Sequence, residues 1–235
     1  MRMRLPIRRL SEFVGPDIRQ KAFEITRNLS FEECVHFEYR GVPIGELCEV
    51  SVARYLCRDA LEAGEDGIET WRDFLTGAIV LVHGYEGAFD EIEPDVLFVN
   101  SGRFFWFSIV HHMALQRGLR TVSYEGDGGK GQHWFFRKMI PASSLELGDA
   151  WLEWEDIPLT DSEERQLDDY LAFRAKGTMI GGIEGDEVYS DARENRRAIL
   201  DELDLPDDRP VLVMLTNLTW DSQVVGRRTI FNSML

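Results

Sequence analysis

The sequence predicts an α/β protein with a mainly parallel sheet flanked by helices, and two stretches carry that prediction. The first is residues 92–126, IEPDVLFVNSGRFFWFSIVHHMALQRGLRTVSYEG, which reads as strand, turn, helix and strand. Asp95 to Val99 is an apolar run behind Pro94, long enough for a buried strand and too short for a helix. Asn100-Ser101-Gly102-Arg103 is a turn. Phe104 to Arg117 has apolar residues at helical spacing, and Gly118 stops it. Leu119 to Tyr124 is the second strand, which leads into Glu125 and the glycine-rich Gly126-Asp127-Gly128-Gly129-Lys130-Gly131. Strands joined through a helix in this way are parallel. Ligands of such sheets sit beyond the carboxyl ends of the strands, here Asn100 to Arg103 and Glu125 to Gly131. The second stretch is the apolar, β-rich Val211 to Leu215. A lone apolar strand of this kind needs partners, so it either joins the main sheet or begins a second domain, and the polar, glycine-rich stretch before it favours the second.

The remaining elements follow in order. Residues 16 to 29 form a helix, with Pro16-Asp17 near its start. His36 to Tyr39 form a short strand running into the turn Gly41-Val42-Pro43. Glu46 to Asp59 and Thr70 to Asp90 are helices. Trp134, Phe135 and Phe136 are expected to be buried, and Trp151 and Trp154 sit in the acidic run Glu146 to Asp156. Thr160, three residues before Glu163, is an N-cap with its capping-box partner, opening a helix to Lys176 that Gly177 ends. Gly181 to Ser190 reads as a linker, and Arg193 to Leu203 as a further helix. The expected division is a first domain over 1–190 and the start of a second over 191–235.

Charge narrows the function classes. The net charge is −16, from 26 basic and 42 acidic residues, which argues against nucleic acid and against electrostatic docking on an anionic membrane. Arg2, Arg4, Arg8 and Arg9 leave peripheral membrane contact open at the N-terminus, and no stretch is long enough to span a bilayer. Cys34, Cys48 and Cys57 are an odd number without CxxC, which reads as core thiols in a reducing cytoplasm rather than a disulfide framework or a zinc site. His111 and His112 are adjacent on a helix and share no face, so a metal pair is not expected, and His36 and His83 have no partner in sequence. GxSxG, P-loop and HExxH patterns are missing, and the GxGxxG spacing of Gly126 to Gly131 is not read as a dinucleotide fingerprint with its downstream acidic residue, which leaves hydrolase, NTPase, metalloprotease and dehydrogenase readings without support.

An ordered set of segments carries a resemblance. They are Tyr39-Arg40-Gly41-Val42-Pro43-Ile44-Gly45, Ser51-Val52-Ala53-Arg54-Tyr55-Leu56, Pro94 to Arg103, Tyr124-Glu125-Gly126, Trp154 with Pro158-Leu159-Thr160, and Asp169-Tyr170-Leu171-Ala172-Phe173-Arg174. Together they resemble the bacterial capsular-polysaccharide glycosyltransferases of the GT-B type, which have two Rossmann-like domains. The resemblance implies an acceptor-binding N-terminal domain, a nucleotide-sugar donor in the C-terminal domain, and transfer in the cleft between them. It also implies that this chain carries most of the acceptor domain and only the first edge of the donor domain. The isolated chain is therefore expected not to turn over nucleotide sugars at the rate of a whole enzyme.

Inverting sugar transfer needs a base for the attacking hydroxyl and positive charge or a helix N-terminus for the departing diphosphate, so no cofactor or metal is expected. The candidate bases are Asp127, Glu125 and His133, with Asp127 as the exposed acid and Glu125 as the structural one. Their plainer reading is an exposed surface loop and a packed histidine. Asn100, Ser101, Gly102 and Arg103 are candidates for acceptor binding; the plainer reading has Asn100 or Ser101 capping the helix and Arg103 solvated. By resemblance, Asn217 and Trp220 would meet the donor, and Asp221 would cap the helix that follows. Trp151 and Trp154 either stack a sugar ring or anchor a loop on the core. The competing expectation is a non-catalytic module that binds saccharide or a partner protein.

Overall fold

The structure, a computed structural model, describes residues 7–61, 63–126, 134–142, 148–175 and 200–206. They fall into two compact units, one holding 7–125 and 135–142, the other 126, 134, 148–175 and 200–206. The described chain mixes helices with a small mixed sheet.

The first unit is built around one long helix. Its helices are α1 (Ile18–Thr26), α2 (Phe31–Val35), α3 (Ile44–Leu56), α4 (Ile68–Ile92) and α5 (Phe105–Gln116). Trp71, Leu75, Ala78, Ile79, Val82 and Phe89 are buried on α4 at the spacing of one helical stripe. That stripe packs against α1, α2, α3 and α5. Trp71 is fully buried, meets Phe31 edge to face and donates its indole N–H to the Ala60 carbonyl at 3.4 Å. Ala22 and Thr26, one turn apart on α1, face the same core, and the Thr26 and Thr76 hydroxyls share a hydrogen bond of 2.6 Å.

One close approach sets the packing of α3 on α2. The start of α3 lies against the end of α2, so that a Cβ on Gly45 would stand 2.3 Å from the Val35 carbonyl oxygen. Only glycine fits there. The helix α2 itself has no counterpart in the sequence reading, although its Ser30/Glu33 capping box is complete. The strand expected at His36 to Tyr39 does not form. Tyr39 and Val42 instead exchange both backbone hydrogen bonds across Arg40-Gly41, whose φ angles are 52° and 76°. This is the geometry of a two-residue hairpin turn with both central residues left-handed, and the returning arm stops after Val42 because α3 begins at Ile44.

The strand–helix–strand prediction holds in both element order and pairing. β1 (Val96–Asn100) pairs in parallel with β2 (Arg120–Gly126), Asn100 opposite Tyr124, and β3 (Trp134–Lys138) lies on the other side of β2. The strand β1 is not buried on both sides as expected. Val99 is buried, whereas Val96 and Phe98 are exposed, and Phe98 stacks on Tyr124 at 4.8 Å. Phe136 was expected inside and is 56% exposed, tilted against the same two rings. One face of the sheet therefore carries exposed aromatics, while the other presents Val99, Thr121 and Ser123 to the interior.

In the second unit, α6 (Gly148–Trp154) and α7 (Asp161–Ala175) are helices. Trp151 and Trp154 are exposed, so neither anchors a loop on a core. The capping box opens α7 as expected: Glu163 accepts from the Thr160 amide and hydroxyl at 2.8 and 2.7 Å. Of the helix placed at 193–203, Leu200 to Glu202 are helical. The linker 181–190 and the strand 211–215 lie outside the described residues. Among the described residues no helix is long and apolar enough to cross a membrane.

Candidate functional site

The carboxyl edge of the parallel pair is where the sequence places a site. The chain leaves β1 at Asn100 and turns through Ser101 and Gly102 with φ of 54° and 76°. That left-handed pair returns the turn onto β2: the Ser101 amide donates to the Tyr124 carbonyl at 2.7 Å, and the Asn100 side-chain amide donates to the same oxygen at 3.3 Å. The turn and the half-buried Glu125 are thus held side by side at one edge.

The turn is a built structure rather than an open loop. Ser101 is 7% exposed, and a Cβ on Gly102 would meet the Pro141 Cβ at 3.0 Å. Neither Asn100 nor Ser101 caps α5. The cap position is Phe104, which makes no side-chain cap bond. The Phe105 amide at the head of α5 donates instead to the Ser51 hydroxyl on α3 at 2.9 Å. Ser108 reinforces the joint, its hydroxyl donating to the Leu47 carbonyl at 3.2 Å. The Asn100 side chain is spent on strand β2, four residues ahead of the cap position. Arg103 is half-buried and engaged with neighbouring groups. Of the other predicted site residues, Asp127, His133, Asn217 and Trp220 lie outside the described residues.

The buried histidines have structural surroundings. His111 shares a hydrogen bond of 3.2 Å with Thr121 on β2, and His83 shares one of 3.0 Å with the Tyr39 hydroxyl. His112 Nε2 is buried without a hydrogen-bond partner among the described residues. Burial lowers the pKa of all three, because the charged imidazolium loses its hydration. Among the described residues no group of three His, Cys, Asp or Glu side chains could hold a metal ion. Cys34 and Cys48 are buried thiols, and burial pushes Cys34 up to about 11; Cys57 departs from the core reading and is exposed at the left-handed end of α3.

One feature escaped the sequence reading. A groove of about 350 Å³ opens between α3, α4 and α5, lined by Tyr55, Thr70, Asp73, Phe74, Phe105 and Trp106. The available signal was the unbroken aromatic run Phe104-Phe105-Trp106-Phe107. Four consecutive residues of a helix cannot share one buried face, so some of that run had to line a surface.

No family model, curated protein or solved structure matches this chain.

Proposed function

We propose that the chain is a glycosyltransferase-related protein of capsular-polysaccharide type, whose parallel pair belongs to a Rossmann-like acceptor domain over residues 1–190. Residues 191–235 then open the donor-side domain. In this reading Asp127, Glu125 or His133 takes the proton of the attacking hydroxyl. Arg103 and Asn100 orient the acceptor, while the buried Ser101 and Gly102 shape the turn through their backbone. Asn217 and Trp220 face the nucleotide-sugar donor. The observation that carries the reading is the hydrogen bonding of Asn100 and Ser101 to the Tyr124 carbonyl, which brings the turn and Glu125 to one strand edge. Ligands of parallel sheets bind at such an edge.

The test combines saccharide binding by ligand-observed NMR with nucleoside-diphosphate release from a panel of nucleotide sugars. Acceptor saccharides should bind the wild-type chain. Asp127→Asn, Glu125→Gln or His133→Ala should lower any transfer about 10²-fold, the contribution of a general base, with the helical circular-dichroism signal unchanged. Saccharide binding without transfer would leave a binding module in place of the transferase. Failure to bind any saccharide or nucleotide sugar would sink both readings.

A further inference from the structure

We infer that the groove between α3, α4 and α5 is a binding site for an organic cation of the quaternary-ammonium class. The inference is independent of the sheet edge and of the sugar chemistry proposed for it.

Four of the lining residues are aromatic, and their rings meet at steep angles in sequence. Tyr55 meets Phe74 at 68° and 5.9 Å, Phe74 meets Phe105 at 69° and 5.2 Å, and Phe105 meets Trp106 at 73° and 5.1 Å. Successive rings stand edge to face, so the groove wall is a continuous aromatic surface contributed by three helices. Each face carries the negative lobe of the ring quadrupole. Asp73 is the one charged residue on the lining, and it is exposed. The guest these walls select is therefore positive, apolar at its surface and small.

Other guests fit less well. A sugar ring needs hydrogen-bond partners for hydroxyls around its rim, and beside the ring tips of Tyr55 and Trp106 the lining offers Thr70 and Asp73, both on α4. A neutral apolar guest would bury against the rings but would gain nothing from the Asp73 carboxylate. A trimethylammonium group keeps the apolar contact and adds attraction to both carboxylate and ring faces. The net charge of −16 raises the local concentration of any cation.

The walls are held before the guest arrives. Tyr85 donates its hydroxyl to the Trp106 carbonyl at 2.9 Å, and the Phe105 amide is bound to Ser51. The Phe104 ring stacks on Trp106 at 18° and 5.5 Å. Rings fixed on three helices lose little freedom on binding, which favours affinity.

The test is calorimetric titration of the full chain with choline chloride, with 3,3-dimethylbutanol as its uncharged isostere and methyl glucoside as a saccharide control. Choline should bind, and the isostere at least tenfold more weakly. Asp73→Asn and Tyr55→Ala, both at exposed side chains, should each weaken choline about five- to tenfold with an unchanged thermal midpoint. Trp106→Ala should do the same. Phosphatidylcholine vesicles separate the two sources of this headgroup chemistry: Asp73-dependent retention on vesicles assigns a lipid headgroup, and binding of free choline alone assigns a solute. Equal binding of the isostere, tighter binding of methyl glucoside, no binding of choline, or full binding by both Asp73→Asn and Tyr55→Ala would each overturn the inference.

Discussion

The helices α4 and α7 were both legible as helices, and they are stabilised in opposite ways. The helix α4 begins at Gly67 without a side-chain cap and ends at Glu93 in a left-handed conformation. No side chain caps its N-terminus, and its order comes from the stripe Trp71–Phe89 that four other helices cover. The helix α7 opens on a complete capping box, yet the described side chains from Asp161 to Ala172 are all exposed. Tertiary burial can replace a missing cap, whereas a cap adds only a fraction of what a core supplies.

The sharpest way to break the contrast is to attack the stripe. Trp71→Ala removes a fully buried indole, its edge contact to Phe31 and its bond to Ala60. We expect a loss of about 3–5 kcal/mol from the first unit in urea unfolding followed by near-ultraviolet circular dichroism. A loss under about 1 kcal/mol would mean that α4 is not held by its stripe.

What could be read in the residues, and what could not, follows the same division. The parallel pair, the long helices and the Thr160/Glu163 box are written in short-range pattern, so strand and helix order came out as predicted. The bare face of β1 did not, because Val96 and Phe98 are as apolar as Val99, and only the position of neighbouring layers decides which side is covered. The strand at His36 to Tyr39 failed for a different reason. Its apolar residues were legible, but α3 begins at Ile44, so the chain returning from the Arg40-Gly41 turn offers Tyr39 only the single bridge to Val42. At the candidate site, the sequence placed Asn100 to Arg103 at a strand edge. It could not show that Asn100 reaches across to β2, because that bond joins residues 24 apart. The aromatic groove is non-local in the same sense, since its walls come from three helices.

Acidification tests the packed region with a smaller effect. His83, His111 and His112 have folded pKa values below the ordinary value of about 6.5, chiefly through burial. A depressed pKa favours the neutral form in the folded state. The associated stability is present above about pH 6.5 and is lost as pH falls through the folded values. Unfolding free energy of the first unit should therefore decline below pH 6.5. His112→Leu, which removes the buried nitrogen without a partner, should flatten part of that decline and raise stability at neutral pH by about 1 kcal/mol. A slope unchanged in this variant would exclude His112 from the transition.

The smallest effect belongs to α7. Thr160→Ala removes the hydroxyl that donates to Glu163 and receives its amide. Amide hydrogen exchange in the first turn of α7 should quicken several-fold while the protection of α4 stays constant. Glu163 titrates low because the Thr160 amide and hydroxyl hold its carboxylate. Its contribution is complete above the ordinary carboxylate range and disappears as pH falls through the lowered value, so the exchange difference between wild type and variant should vanish in acid. Equal loss of protection in α4 would show that the two helices unfold together.

The bond from Phe105 to Ser51 has a consequence for the order of folding. The amide at the head of α5 is satisfied by a hydroxyl 54 residues upstream, on a different helix. In a newly formed strand–helix–strand segment that amide has only water as a partner until α3 docks. Closing a long loop of chain costs entropy, and we expect this contact to form late. Ser51→Ala should accordingly speed unfolding far more than it slows refolding, the signature of an interaction absent from the transition state. The helices and the parallel pair would then fold as one cooperative unit, with the last joint sealed at the N-terminus of α5.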